Sequence, residues 1–276
     1  MQEENFENLK TSLEIRGFDP SLYPELERNM KEGKPEFILQ FVKNLDEDGT
    51  VLCQLPFNKG KEDDRYYFNH YQATLVNGDE VMAQVLVKAS WKIRVQEAAR
   101  IMAYGQNVAV YKQNIISYRK NEGEQEAQQV KFNAYITLDP EGKTDEQGNL
   151  LLNSYHDNYY AKRPFEIADQ LENPEIPFRT KQDYDSVDAL IRDIHQAIPV
   201  AIIMTRNGKE EDGFLNVNAR RGKLNFMDEN GISIDTTPAK KEKIEATESQ
   251  EVKKKPWLNQ GPQKAWKPKQ NKGISR

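Results

Sequence analysis

Residues 65–75 read RYYFNHYQATL: four aromatic rings, a histidine and two amide side chains in one short stretch. Aromatic and β-branched residues suit a pleated, half-buried surface, so this segment reads as a strand. VNGDE (76–80) follows it, and its Asn77-Gly78 pair is a strong hairpin signal. EVMAQVLVK (80–88) alternates again and reads as the returning strand. Upstream, PEFILQFVK (35–43, with Phe37, Leu39 and Phe41 on one side) and GTVLCQLPF (49–57) carry the same period of two. The reading is an antiparallel meander, and it sets the fold class: α+β with antiparallel sheets and a few packed helices.

As one unbroken strand, 65–75 puts Arg65, Tyr67, Asn69, Tyr71 and Ala73 on one face. Tyr66, Phe68, His70, Gln72 and Thr74 share the other. Two readings follow. One is a half-buried strand with cross-strand aromatic pairs. The other is a binding face on which Tyr67, Asn69 and Tyr71 stack on and hydrogen-bond a base or a peptide. The acidic KEDD just upstream opposes the second, because nucleic-acid contact needs cationic neighbours.

Two helices precede the meander. Phe6, Leu9, Leu13 and Ile15 recur near helical spacing over 4–16, and Gly17 stops the run. Leu22, Leu26 and Met30 repeat every fourth residue, and Gly33 suits a C-terminal cap. After the meander, IRVQEAARIMAYG (93–105) predicts a helix ended by Gly105. NVAVYKQNIISYRK and QVKFNAYITLD predict long strands around a polar loop. Residues 140–165 are rich in turn formers and predict a long loop, with a short helix near FEIADQL. DSVDALIRDIHQA predicts a helix capped by Asp185 or Ser186, with Val187, Leu190, Ile191 and Ile194 as its apolar stripe. Pro199 blocks its continuation. VAIIMTRNG, GFLNVNARRG and KLNFMDENG then predict three strands joined by the NGKEED and RRG turns. Residues 21–57 and 186–219 share one order of helix, stop, strand, turn and strand, a weak internal symmetry.

Several chemistries lack support. No GxxxxGK(S/T), GxGxxG or GxSxG occurs. His70, His156 and His195 lie far apart without helical partners, so no local zinc motif forms, and neither a metal nor a cofactor is expected. Cys53 is the single cysteine; no internal disulfide is possible, and its TVLCQL setting suggests a small buried hydrophobe. NSYHDNYY (153–160) gathers aromatics, His156 and Asp157, but adjacent residues rarely converge on one substrate, so a loop packed by its own tyrosines is expected. NLDEDG (44–49) lacks the later ligands of a calcium loop. The acidic start without an apolar run predicts no secretory signal, a cytoplasmic location and no membrane partner.

Charge is unevenly spread. Residues 238–276 carry eleven Lys and Arg against four Glu, a surplus of seven, so with −5 overall the first 237 residues carry −12. The tail has few aliphatics and no period, and reads as disordered. Beyond Glu251 it has eight basic residues and no acid. Lys253, Lys254, Lys255 and Trp257 form one patch; Lys264, Trp266, Lys267 and Lys269 form a second. Lysines can neutralise phosphates while indoles stack on bases. Trp and Pro in a basic segment can equally dock in a partner's groove. A plain solubilising tail is the third reading.

In order along the chain, RYYFNHYQATL, SWKIRVQEAARIMAYGQNVAV, VKFNAYITLD and FLNVNARRGKLNFMDENG resemble a family of uncharacterised domains of Bacteroidetes conjugative and mobile elements. The resemblance spans most of residues 5–235; NARRGK stands where the family would have Asn-Pro after the alanine. It implies mobile-element biology, a cytosolic location and DNA-processing neighbours. It carries no reaction and no catalytic residues.

The expectation is therefore three parts: 1–120, helices plus meander; 121–237, a second α+β module; and 238–276, the basic tail. The first two form one continuous body or two packed halves. The function expected is a non-catalytic adaptor whose acidic body binds a protein partner while the tail reaches a second one. The alternative is an accessory DNA-processing protein that binds nucleic acid non-specifically through the tail. An enzyme with a site assembled from distant Tyr, His and Asp is a third.

Overall fold

Gly17 (φ 75°) and Gly33 (φ 69°) take up left-handed backbone and end the first two helices, α1 (Glu3–Ile15) and α2 (Tyr23–Lys31). The computed structural model describes residues 3–45, 49–119 and 128–236. α1 buries Asn5, Leu9 and Leu13, whereas Ile15 is exposed and lies off the stripe. A short 3-10 turn, Pro20–Leu22, leads into α2; the Asp19 carboxylate accepts from the Ser21 amide at its start. Leu22, Leu26 and Met30 are buried, as their four-residue spacing predicts.

The first sheet contains β1 (Glu36–Asn44), β2 (Thr50–Lys59), β3 (Tyr66–Tyr67), β4 (His70–Asn77) and β5 (Glu80–Lys88), in the order β1-β2-β4-β5 with β3 beside β2. All its pairings are antiparallel. Leu39, Cys53, Leu55, Phe57, Tyr71 and Val85 pack inward against α1, α2 and α3 (Val95–Tyr104) in one core. Cys53 is 3% exposed, and burial pushes its thiol up to about 12, so it acts as a small hydrophobe.

The decisive stretch is two strands, not one. Phe68 and Asn69 interrupt it, and the Asn69 carbonyl accepts from the Ala89 amide beyond β5. Asn5 of α1 clamps the first piece, bonding both the amide and the carbonyl of Tyr66. The break shifts the alternation by one residue. Tyr66 and Phe68 point inward before it, and Tyr71, Ala73 and Leu75 after it. The single-strand face assignment of 65–75 is thereby corrected.

The second sheet is β6 (Val110–Arg119), β7 (Gln128–Leu138) and β8 (Leu152–His156). β8 lies inside the stretch read as loop. Its one buried side chain is Tyr155, so no alternation marks it in sequence. The β6–β7 ribbon serves two cores: Val110, Ile115, Ala134 and Ile136 face the first, while Tyr135, with Ala109 just before β6, faces the second. The boundary placed at 120/121 falls within this hairpin.

The third sheet is β9 (Phe178–Thr180), β10 (Val200–Arg206), β11 (Lys209–Asn218) and β12 (Lys223–Asp228), in that order. α4 (Ile167–Glu172) and α5 (Val187–His195) accompany it. Ser186 caps α5 by accepting from the Ala189 amide. Leu190 and Ile194 are buried, but Val187 in the first turn is 56% exposed. Asn207 and Gly208, both at positive φ, form a two-residue turn, so the acidic EED belongs to β11 rather than to a loop. α2–β1–β2 and α5–β10–β11 are each a helix followed by an antiparallel hairpin, which is the order the symmetry predicted.

Candidate functional site

The outer face of the first sheet differs from the rest of the surface. Register places Val42 opposite Leu52 and Leu52 opposite Thr74. The next row runs Gln40, Gln54, Gln72 and Leu86 across four strands, and Ile38 faces Pro56 beyond it. None of these side chains is charged, in a chain that is 30% charged. Ile38 is 55% exposed, Val42 59%, and Leu52 and Leu86 about 40%. On the β5 side, Asn149 accepts from both Gln72 and Gln84, so a loop covers that end. Among the described residues nothing covers the β1–β2 end, and β1 is an edge strand of its sheet. Charged side chains are depleted at the centre of protein interfaces, and this face has that composition.

A separate feature is a cleft of about 530 Å³ between the β11–β12 turn, β7–β8 and the last described residues. Arg220, Arg221 and Lys223 line it, with Asn218, Tyr155 and Asp235. Lys223 bonds Glu175 at 3.2 Å and donates to Thr236 Oγ1 at 2.6 Å; Arg221 lies 3.5 Å from Asp235. Among the described residues nothing pairs with the Arg220 guanidinium. Tyr159, 52% exposed, donates its hydroxyl to the Arg220 carbonyl. Its ring meets Tyr155 at 4.9 Å and Tyr160 at 5.1 Å, both edge-on. The 153–160 segment is thus packed by its own tyrosines.

A second cleft, about 440 Å³, gathers Glu97, Lys112, Tyr111 and His195 between α3, β6 and α5. The Glu97 carboxylate accepts from the Arg94 amide at 2.7 Å and pairs with Lys112 Nζ at 2.6 Å. His195 Nε2 lies 3.2 Å from the Tyr135 hydroxyl, and the Tyr111 ring stacks at 4.5 Å. Burial holds the His195 imidazole down at about 4, so it is neutral at pH 7; burial also raises the Tyr135 phenol, which stays protonated. Each group here has an internal partner. The cluster ties α3 to β6 and α5 to β7 rather than presenting an activated group.

The residues singled out from sequence separate. Tyr67 is 44% exposed and donates to Asp63 at 2.7 Å; Asn69 is exposed beside it. Tyr71 is fully buried, with its hydroxyl donating to the Ile93 carbonyl at 2.9 Å and its ring edge-on to Phe18. It is a core residue and presents nothing to a ligand. Lys253, Lys254, Lys255, Trp257, Lys264, Trp266, Lys267 and Lys269 lie outside the described residues. Arg220, Arg221 and Tyr159 went unnoticed as a group; the NARRGK departure was the one visible signal. Among the described residues no cluster of three His, Cys, Asp or Glu is placed to hold a metal ion, and no helix is long and apolar enough to cross a membrane.

Comparison with known proteins returns no match to a family model, to a curated protein or to a solved structure.

Proposed function

We propose that this chain is a non-catalytic adaptor of mobile-element systems, acting in the cytoplasm. Its body docks a protein partner through the uncharged outer face of the first sheet, and residues 238–276 reach a second partner. The observation that supports this is the row of Val42, Leu52, Gln40, Gln54 and Ile38, exposed together on adjacent strands without one charge. A body at −12 otherwise repels acidic partners, and such a face offers apolar and amide contact with no charge to desolvate. The test is cross-linked capture from cells of the source with the full chain and with Val42→Glu/Leu52→Lys. The two new side chains stand opposite each other and can pair, which preserves the sheet. A partner captured by the wild type and lost from the variant supports the reading. Identical captured sets, or self-association through this face, reject it.

A second reading, an accessory DNA-processing protein that binds nucleic acid through its tail, draws on one observation. The last described residue, Thr236, accepts from Lys223, which lines one cleft with Arg220 and Arg221.

A further inference from the structure

We propose that the cleft lined by Tyr155, Arg220, Arg221 and Lys223, together with Tyr159 packed against Tyr155, is a binding site for single-stranded nucleic acid. The inference rests on the second reading above and adds a subsite on the folded body to the contacts of the tail.

Three features of the cleft carry it. The first is charge. In a body at −12, three cations converge on one turn, and the Arg220 fork has no partner among the described residues. The guanidinium fork matches phosphate oxygens two at a time. The two ion pairs of its neighbours, to Asp235 and Glu175, are at least partly exposed and cost little to exchange.

The second is the pair of Tyr155, which lines the cleft, and Tyr159 packed against it. Tyr159 is half in water, yet its hydroxyl is tied to the Arg220 carbonyl and its ring is braced by Tyr155 and Tyr160. A ring held in place loses little side-chain entropy when a base stacks on it. The Tyr67 hydroxyl is bound to a carboxylate, whereas that of Tyr159 is bound to the main chain of the turn that carries Arg220 and Arg221. Stacking next to a cation is the mode used for unpaired bases.

The third is continuity. Ser233, Ile234 and Asp235 form one wall, and the sequence runs on from Thr236 through three Lys and four Glu to the lysines and indoles beyond Glu251.

The same geometry sets the specificity. Stacking needs a free base face, which a duplex does not offer. The side-chain amides of Asn107 and Asn225 are already spent, on Gly231, Ser233 and the Asn107 carbonyl. Few groups remain to read base edges, so the site takes single strands with little sequence preference.

The experiment is fluorescence anisotropy of a labelled oligo-dT against the full chain over a salt series. The variants are Arg220→Gln/Arg221→Gln, Tyr159→Leu, and a tail variant, Trp257→Ala/Trp266→Ala with Lys253, Lys254 and Lys255 changed to Gln. Loss of two phosphate contacts should flatten the slope of log K against log salt by about 1.4, at about 0.7 per contact. Tyr159→Leu should weaken binding by roughly 5- to 150-fold, the range for one stacked base, with the slope unchanged. Arg220→Lys should keep the slope, and far-UV circular dichroism should match throughout. A duplex of the same length should bind more weakly. If the cleft variants bind like wild type while the tail variant does not, the cleft inference falls and the tail reading survives. If the wild type binds no oligonucleotide, both fall. If inorganic phosphate at equal phosphate concentration competes as well as the oligonucleotide, the site takes a small anion and the inference is overturned.

Discussion

The Tyr159 hydroxyl donates to the Arg220 main-chain carbonyl across 3.0 Å, joining the turn after β8 to the turn between β11 and β12. Its neighbour Tyr160 makes the parallel bond to the Ala219 carbonyl at 2.6 Å, but from the second core. Two adjacent tyrosines therefore hold one turn, one in water and one buried.

Their burial separates the consequences. Tyr160→Phe leaves a buried carbonyl without its donor and should cost about 1–2 kcal/mol. Tyr159→Phe should change stability by less than about 0.5 kcal/mol, since water replaces the lost partner. Urea midpoints of the two variants, read beside the wild type, measure the difference.

Glu97 and Lys112 form an ion pair with side-chain exposures of only 4% and 15%. Lys112→Met removes the cation bonded to a buried carboxylate and should destabilise by roughly 3–5 kcal/mol. The double change Glu97→Gln/Lys112→Met should recover most of that loss, because the buried charge is gone. Denaturant unfolding of the single and double variants gives the coupling between the two positions.

His195 makes stability depend on pH. Burial lowers its imidazole from 6.5 to about 4, so the unfolded chain binds more protons than the folded one between those values. Its contribution is full above pH 6.5 and is lost as pH falls towards 4. Allowing for its partial exposure, the loss is of the order of 1–2 kcal/mol. His195→Gln should flatten the urea midpoint between pH 6.5 and 5 relative to wild type; equal pH dependence in the two proteins would exclude the histidine as its source.

The helices and most strands were legible because periodicity survives without context: Leu22, Leu26 and Met30 on α2, or Leu39 on β1, are buried as their spacing requires. What was missed depends on contacts from elsewhere in the chain. Nothing near Phe68 announces the break in the aromatic stretch; it follows from Asn5, sixty-one residues upstream, gripping Tyr66. That one shift moves Tyr71 from a presumed binding face into the core. β8 escaped notice because only Tyr155 on it is buried. The Tyr159–Arg220 cleft joins residues sixty-one apart whose local patterns read as a loop and a turn. The uncharged sheet face was hidden for a different reason: Ile38, Val42 and Leu52 look like core residues until register puts them all on the outer side.

That outer face is the centre of the functional account, and direct binding tests it best. The affinity of the captured partner for the full chain should fall at least tenfold when Val42→Glu/Leu52→Lys is introduced, with the unfolding midpoint unchanged. An affinity equal to wild type, from a variant equally well folded, would contradict the assignment of this face as the docking surface.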